Sequence, residues 1–366
     1  MRENPSVLDL TEPELAAILA QHDEPAYRAR QIIRWVYRSG CDDFDQMTDL
    51  PGPLREALAQ SLRIHVLQPA QVLDSARDGT KKIALRTRDG HIIEAVLMPQ
   101  PGRREGRPSG DPEGTAPGAS PRGRTSLCLS SQAGCAYRCA FCASGARGLA
   151  RNLTAAEIID QYLWARKTAG NARISNIVFM GMGEPLANYN NVVRSVRLFN
   201  TAAGISRRSI AISTCGLPDR IRRLADEGLG VHLAVSLHAP DNALRRKLMP
   251  IAARYPVKAI VSAARYYGKT TGRKVAFEYI LISGLNDSLE LAPRLGRLLR
   301  GMLCMVNVIA LNPHQFCGDM KPPSRQHTMQ FVRALRSAGL DAALRKSLGG
   351  DISAACGQLS GHLTPL

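Results

Sequence analysis

The chain has 366 residues, of which 45% are hydrophobic, and a formal net charge of +17. This length allows two or three domains, or one barrel with an extension. The start lacks an apolar stretch, and nothing approaches the roughly 18 apolar residues of a membrane span, so we expect a cytoplasmic protein without a membrane segment. In that compartment, nine cysteines indicate metal binding or catalysis rather than disulfides. The basic excess favours a polyanionic partner such as nucleic acid, although a merely basic protein would show the same balance.

Residues 1–65 are predicted to be helical and to form an accessory RNA-binding domain. Thr11 and Glu14 have the spacing of a capping box, which predicts a helix start. A second helix is predicted over Ala26–Tyr37, where apolar residues recur at helical spacing with arginines between them. It would bury Ile33, Val36 and Tyr37 and expose Arg28, Arg30 and Arg34. Those arginines would either contact RNA or form an ordinary solvated face.

Residues 66–100 are predicted to contain a β-hairpin extension. Two strands, 81–87 and 91–98, flank Asp89-Gly90, which supplies the positive φ angles that a tight turn requires. The next segment, 101–123, contains eleven Gly or Pro among twenty-three residues and has no apolar period. We predict that it is a disordered insertion.

From residue 124 to residue 346, strand-like and helix-like segments alternate. The predicted strands are 126–130, 174–180, 209–214, 231–237, 274–282 and 305–311. The predicted helices begin at a second capping box, Thr154 to Glu157, and then cover 191–203, 219–227, 257–268, 289–300 and 326–338. Six βα units predict an α/β fold with a parallel sheet, closed or partly closed as a (βα)6 relative of the TIM barrel. A last strand is predicted at 342–345, before a Gly-rich C-terminal loop at 347–366.

Cys135, Cys139 and Cys142 form a Cys-x3-Cys-x2-Cys pattern in the loop after the first barrel strand. Three such cysteines can hold three irons of a 4Fe–4S cluster and leave the fourth iron open to bind a substrate. Three cysteines could also bind a zinc ion with a fourth ligand elsewhere, or be buried thiols without a role. A zinc knuckle usually has two Cys-x2-Cys pairs, and the remaining cysteines form no second pair. The spacing therefore favours the cluster.

Other polar or small residues follow the ends of the predicted strands, where the active sites of βα barrels lie. Gly183 and Glu184 come after the second strand, and the glycine allows the backbone to approach a ligand closely. The further candidates are Ser213, Ser236, Leu237, His238 and Asn312. Each alone would be an ordinary turn or cap residue, but as a ring around one cluster they are predicted cofactor ligands. Cys356, in the C-terminal loop, is either a sterically accessible reactive thiol or an idle cysteine.

Together these features resemble the RlmN/Cfr family of radical S-adenosylmethionine (SAM) RNA methyltransferases. The resembling segments span most of the chain and are 24–31, 42–51, 126–135, 151–154, 181–185, 236–240 and 354–359. The most specific feature is the cysteine loop combined with Ala-Cys-Gly-Gln around Cys356. The resemblance implies a radical SAM barrel at 124–346 with a 4Fe–4S cluster whose open iron binds SAM. It also implies that two SAM molecules are used per turnover.

The resemblance implies roles for three residues that lie far apart in the sequence. Cys356 would accept a methyl group from one SAM, and a radical derived from a second SAM would activate that methyl to join an adenine carbon. Cys128 would then attack the Cys356 sulfur, and the transient disulfide would release the RNA. Glu94 would accept the adenine proton, although by composition it is a solvated strand residue.

The implied substrates are an adenosine of 23S rRNA and the adenosine 3′ of the anticodon in tRNAs, methylated at carbon 2. Methylation of the rRNA adenosine at carbon 8 is the alternative. An electron donor such as flavodoxin or ferredoxin, and a monomeric state, are also expected. Cys215 departs from the family, which more often has serine or an aliphatic residue there. Two other classes remain: a radical SAM enzyme that thiolates tRNA, which should carry a second cysteine cluster, and a non-enzymatic, zinc-stabilised RNA-binding protein.

Overall fold

The computed structural model describes residues 4–100, 124–170 and 173–363, so the predicted insertion at 101–123 lies outside the described residues. The helices are α1 Glu12–Ala20, α2 Tyr27–Arg34, α3 Gly52–Ser61, α4 Ala155–Thr168, α5 Tyr189–Thr201, α6 Pro218–Asp226, α7 Asn242–Leu248, α8 Val257–Thr271, α9 Leu291–Leu299 and α10 Arg325–Ser337. The strands are β1 Gln68–Asp74, β2 Lys81–Arg86, β3 Ile92–Gln100, β4 Arg124–Cys128, β5 Gln132–Gly134, β6 Leu149–Asn152, β7 Ile174–Phe179, β8 Ile210–Thr214, β9 His232–Ser236, β10 Val275–Leu281, β11 Cys304–Ala310 and β12 Ala342–Leu344. None of the helices that the structure describes is long and apolar enough to cross a membrane.

Both predicted capping boxes are present at helix starts. Thr11 accepts from the backbone of Glu14, whose carboxylate accepts from the backbone of Thr11, at the start of α1. Thr154 and Glu157 make the same reciprocal pair at the start of α4. Each pair satisfies two backbone N–H groups that would otherwise lack a partner.

The second N-terminal helix buries Val36 and Tyr37 as predicted, but the third buried residue differs from the prediction. Ile32, rather than Ile33, is buried in α2, and the chain continues past it through a π-helical turn, Trp35–Ser39, that buries Val36 and Tyr37. Arg30 and Arg34 are exposed as predicted. They form ion pairs with carboxylates of Glu12 and Asp49, whereas Arg28 is half-buried against Glu24.

Within the described ranges, ten strands form one mixed sheet. Their order is β1-β2-β3-β4-β7-β8-β9-β10-β11-β12, and every pair from β4 to β12 is parallel. The six predicted barrel strands are therefore confirmed, and the partial (βα)6 barrel is the fold. Their carboxyl ends lie at one edge of the sheet, which is where a site is expected.

The predicted hairpin, now β2 and β3, extends the barrel sheet instead of standing apart from it. β3 pairs antiparallel with β4, so that Val96 lies opposite Cys128. β1, which adds a further antiparallel strand, was not predicted. It is an exposed edge strand containing Pro69, and a proline is tolerated there because an edge has N–H groups that face solvent.

Two unpredicted elements frame the cysteine loop. β5 and β6 form a separate two-stranded sheet, with Gly134 opposite Leu149. α7 is a short helix capped by Asp241, whose side chain accepts from Leu244 N. The carbonyl of Leu248, at the end of α7, accepts from Ala140 N at 2.9 Å, so this helix supports the loop between the cysteines.

Candidate active site

A cavity lies at the carboxyl ends of the parallel strands. It encloses about 880 Å³, including the open solvent at its mouth. The predicted site residues that line it are Cys135, Cys139, Cys142, Gly183, Glu184, Ser213, Ser236, His238 and Cys356. The predicted residues outside its lining are Glu94, Cys128, Leu237 and Asn312. The fold thus brings most of the predicted ring together.

The loop that carries the three cysteines is tightly folded. At its base, a Cβ on Gly134 would lie 2.1 Å from the carbonyl oxygen of Gly148, so only glycine fits. Arg138, between the first two cysteines, has a left-handed φ of +48°. The backbone N–H of Cys142 donates to the carbonyl of Cys139 at 3.1 Å and closes the turn. One short segment therefore presents all three thiols to the same cavity.

The three thiols form a donor set that suits an iron–sulfur cluster. All three are free, and burial raises the pKa of each, that of Cys135 to about 12. A metal charge would stabilise the thiolates, because a coordinating thiol is deprotonated. In the described ranges, no three His, Cys, Asp or Glu side chains gather around one point that a single metal ion could occupy. A cube takes each thiolate on a different iron, which three separate thiols at one cavity can supply.

Gly183 and Glu184 form a tight turn beside the cysteine loop. Gly183 has a φ of +94°, and a Cβ there would lie 2.4 Å from Cβ of Gln132. The carboxylate of Glu184 accepts from Cys215 N at 2.6 Å and from Leu186 N at 2.9 Å. Burial raises its pKa. The side chains of Thr214 and Cys215 also interact with this carboxylate, which lines the cavity.

His238 lines the cavity as a neutral imidazole. Its Nδ1 accepts from Ile280 N at 2.9 Å, which assigns the ring proton to Nε2. Burial, with a smaller contribution from Arg245, lowers the pKa of His238 to about 3. Its ring packs edge-on against Phe141, with centroids 4.8 Å apart. His238 therefore offers an N–H donor, not a charge, next to the cysteine loop.

We expect the neutrality of His238 to make the fold sensitive to acid. The unfolded chain protonates this ring near pH 6.5 and the folded chain only near pH 3. The free energy of unfolding should therefore fall as the pH drops from about 6.5 towards about 3, by about 1.4 kcal/mol per pH unit. Above that window His238 contributes no pH dependence. Denaturant titrations across the window should give a smaller change in unfolding free energy per pH unit for His238→Asn, whose amide oxygen can still accept from Ile280. An equal change per pH unit would contradict the assignment of a neutral His238.

Arg245, a residue of α7, holds the ends of two barrel strands. The guanidinium is fully buried and donates to the carbonyls of Ser236 at 3.2 Å and Leu237 at 3.1 Å, and to that of Cys215. Ser236 lines the cavity. The side chain of Leu237 is buried outside the lining, and its backbone N–H donates to the carbonyl of Glu278. Leu237 therefore supports the strand end in this structure.

Cys356 is exposed and borders the cavity. Although the residue reaches the surface, the protein atoms around its thiol exclude water there, and this desolvation raises the pKa of Cys356. The positive charge of Arg345 opposes that rise. The backbone around it is tied to two loops. The amide of Asn312 donates to Cys356 O at 3.0 Å, and Ala143 N donates to Gly357 O at 2.7 Å. Asn312 thus contacts the C-terminal loop and does not line the cavity.

Cys128 ends β4, beside the cavity rather than in its lining. Burial raises its pKa to about 12, and the charge of the Cys356 thiolate adds to that rise. Arg345 lowers it. The two thiols are therefore electrostatic neighbours, and Arg345 acts on both.

Glu94 is fully buried, which overturns the expectation from composition of a solvated residue. Its Oε1 lies 3.2 Å from Nζ of Lys82. Its Oε2 accepts from the backbone N–H groups of Ser360 and Gly361, both at 2.8 Å. Glu94 therefore binds the C-terminal loop and does not reach the cavity lining.

Sequence reasoning missed two charged residues that line the cavity, Glu278 and Arg345. Glu278 accepts from the amide of Asn307 at 2.9 Å, and its other oxygen lies 3.8 Å from Nη1 of Arg345. Burial raises the pKa of Glu278. The available signal was a glutamate between Phe277 and Tyr279, inside an otherwise apolar strand.

Comparison with known proteins identifies the family. The model of the ribosomal RNA large subunit methyltransferase N-terminal domain matches residues 6–64, and the radical SAM superfamily model matches residues 129–292. A protein of Moorella thermoacetica named "Probable dual-specificity RNA methyltransferase RlmN" is 48% identical and covers 94% of each chain. The chain belongs to the RlmN family of radical SAM RNA methyltransferases. A relative of the same name from Symbiobacterium thermophilum is 43% identical, over 94% of this chain and 88% of its own.

A solved structure agrees with membership of the RlmN family. The radical SAM methyltransferase from Sphaerobacter thermophilus matches with a TM-score of 0.87 and 44% identity, over 98% of this chain and 99% of that one. The predicted family, fold class and enzyme class are thereby confirmed. Membership implies a 4Fe–4S cluster and SAM, which fit the thiols and the cavity described above.

Proposed function

We propose that the enzyme methylates carbon 2 of an adenosine in 23S rRNA and of the adenosine 3′ of the anticodon in tRNAs, through an S-methylcysteine at Cys356. The observation that carries this proposal is that Cys356, from the end of the chain, borders the same cavity as the three cysteines of the cluster loop. A thiol at that position can present a group transferred to it to the cavity that the cluster loop lines. The carbon-8 alternative differs in how the adenine ring enters, and it predicts a different product.

Cys135, Cys139 and Cys142 would hold the cluster and leave one iron open. Bound there, the cluster would hold SAM by its methionine end and supply the electron that cleaves it. Gly183 allows the backbone to approach SAM, and Glu184 can accept from its ammonium group. The other proposed SAM contacts are Ser213, Ser236 and His238 in the lining, with Leu237 and Asn312 supporting them from outside. Two SAM molecules would be used per turnover.

Cys356 must lose its proton before it can accept a methyl group, since the thiolate is the nucleophile. Arg345 favours that form, because its positive charge opposes the effect of burial on the thiol. Asn312 and Ala143 fix the backbone carbonyls of Cys356 and Gly357, next to the thiol. These contacts hold the sulfur where a methyl group on it would face the cavity.

Cys128 is the proposed resolving thiol and Glu94 the proposed proton acceptor. The electrostatic proximity of Cys128 to Cys356 supports the first role. For Glu94 the support is its burial beside the loop that carries Cys356. Its Oε2 is occupied by the loop and its Oε1 lies against Lys82 in this conformation, so it would act only after that loop has moved.

The proposed partners of the enzyme are RNA and an electron donor such as flavodoxin or ferredoxin. The enzyme itself is proposed to be a monomer. The net charge of +17 supports an RNA substrate. The N-terminal helices are the proposed accessory RNA-binding domain. Arg30 and Arg34 are exposed there, but their pairing with Glu12 and Asp49 reduces the charge that they present.

The test is mass spectrometry of rRNA and tRNA nucleosides from a host that lacks its own enzyme. We expect 2-methyladenosine with the intact chain and none with Cys356→Ala. Cys304→Ala is the matched control, because Cys304 is a buried cysteine at the amino end of β11, whereas the cavity lies at the carboxyl ends of the strands. 8-Methyladenosine would establish the alternative. No methyladenosine, despite an assembled cluster, would exclude the proposal.

A further inference from the structure

One buried ion pair contacts the C-terminal loop on both sides of Cys356, in addition to the bonds that Asn312 and Ala143 make to it. On the C-terminal side, Glu94 accepts from Ser360 N and Gly361 N, both at 2.8 Å. On the N-terminal side, Nζ of Lys82 lies 3.5 Å from the carbonyl oxygen of Ser353. Lys82 and Glu94 are themselves joined at 3.2 Å. The two charged residues therefore connect both arms of the loop to one place on the sheet.

The ion pair is built into the rigid part of the fold. Lys82 lies on β2 and Glu94 on β3, and these strands pair in register, with Ala84 opposite Glu94 and Lys82 opposite Val96. Their side chains are only 4% and 1% exposed. Burying two charges costs several kcal/mol per ion unless the pair is well made and further hydrogen bonds satisfy it. The loop supplies those further bonds, so the loop and the ion pair depend on each other.

The close approach of the loop to the sheet is also fixed by backbone geometry. Gly361 has a φ of +69°, and a Cβ there would lie 2.9 Å from the carbonyl oxygen of Ile92 on β3. A glycine thus brings the backbone N–H groups within reach of Glu94. Neither Lys82 nor Glu94 lines the cavity. Any effect of this ion pair on the reaction in the cavity therefore acts through the loop.

We propose that Lys82 and Glu94 form a latch that holds residues 353–361, and with them Cys356, at the cavity. Lys82 is a positioning residue, because it acts on the loop and not on the reacting atoms. Its effect on methylation rests on the function proposed above. While the latch is closed, Oε2 of Glu94 is engaged by the two loop amides and Oε1 lies against Lys82. Opening it releases Ser360 and Gly361 and frees the carboxylate in the same event, while Asn312 and Ala143 still bind the backbone at Cys356 and Gly357.

Amide hydrogen exchange of the full chain with its cluster tests the latch. In Lys82→Met we expect the exchange rate of the Ser360 and Gly361 amides to rise by about tenfold or more, because these amides then open locally. Peptides from β4 and β7 should keep their protection. Lys82→Arg keeps the cation and should return the exchange to within about threefold of wild type. The matched control is Lys81→Met, on the same strand, whose Nζ pairs with Asp74 at 2.7 Å on the surface.

The latch is excluded if Lys82→Met exchanges these amides as slowly as wild type, or if Lys81→Met accelerates them equally. Should Lys82→Met unfold, Glu94→Gln gives the same test. It keeps one acceptor oxygen for the two amides and removes only the charge, so a rise in exchange confined to the loop supports the latch and no rise excludes it. Exchange does not require turnover, so absence of methyladenosine would overturn the proposed function and leave this result standing.

Discussion

In a Cys128→Ala protein, RNA is expected to remain covalently joined to Cys356 after a single round of reaction. The proposed route attaches the adenine to the sulfur of Cys356 through a methylene group. Release then requires a thiolate to attack that sulfur. Cys128 is the buried, free thiol whose charge state is coupled to Cys356, and alanine removes it without disturbing the β4 backbone.

The step balances in atoms and electrons. A bond forms between the sulfurs of Cys128 and Cys356 while the bond from Cys356 to the methylene carbon breaks. The electron pair passes to that carbon, which takes a proton and becomes the methyl group. The two thiols are oxidised to a disulfide as the methylene is reduced. Without Cys128, no acceptor for the Cys356 sulfur remains at this end of β4.

The pKa of Cys128 makes this step sensitive to Arg345. Burial raises that pKa to about 12, and Arg345 lowers it. At neutral pH only a small fraction of the thiol is ionised, and a pKa higher by about one unit would reduce it about tenfold. In Arg345→Met we therefore expect the adduct, once formed, to be resolved more slowly, and its resolution to accelerate as the pH rises.

Denaturing gels and intact-mass measurement of the protein after reaction with an RNA substrate would detect the adduct. Cys128→Ala should show a protein–RNA species that nuclease trims to one nucleotide on Cys356, with free methylated RNA reduced by about 100-fold or more, as for loss of a nucleophile. Cys304→Ala should behave as wild type. Free methylated RNA at the wild-type rate from Cys128→Ala would exclude the resolving role.

The sequence was sufficient for the barrel because its signals are local. Six strand–helix repeats, two capping boxes and a cysteine loop can each be recognised within about twenty residues, and parallel strands then place their carboxyl ends together. Ser213, Ser236 and His238 reach the cavity for that reason. Leu237 was included only as their neighbour, and the alternation of side chains along a strand turns it away from them.

The contacts of the C-terminal loop were not predictable, because they join residues that are far apart in the chain. Glu94 and Gly361 are 267 residues apart, and no local pattern indicates that a strand glutamate will be covered by the tail. The same holds for Arg345, which follows a short terminal strand and reaches Glu278 on β10. Charged residues in apolar strands were visible as anomalies, but only the fold shows which of them share a cavity.

Gly183→Ala is expected to abolish SAM binding while leaving the cluster loop intact. A non-glycine residue at a φ of +94° is strained, at a cost of about 1–2 kcal/mol. The added Cβ would also lie 2.4 Å from Cβ and 2.9 Å from the backbone N of Gln132. Because β5 cannot yield without disturbing the base of the cysteine loop, the turn containing Glu184 must move instead.

The movement of that turn matters because Gln132 and Glu184 are directly bonded. Gln132 Oε1 accepts from Glu184 N at 2.8 Å, and the Glu184 carboxylate in turn fixes Cys215 N. Displacing the turn therefore shifts the proposed ammonium acceptor and the end of β8 together. A misplacement of about 1 Å can lower a rate about 100-fold, so methylation should fall at least that far.

Gly228→Ala separates conformational strain from the collision. Gly228 also has a positive φ, +62°, but a Cβ there meets nothing within 4 Å, and it lies at the end of α6, away from the cavity. We expect both variants to lose a similar amount of unfolding free energy from the backbone term, and only Gly183→Ala to lose SAM binding, measured by equilibrium dialysis at equal iron content. If the two variants bind SAM equally, the turn at Gly183 does not form the SAM site. If the iron content falls only in Gly183→Ala, then β5 and the cysteine loop have moved to relieve the collision, rather than the turn containing Glu184.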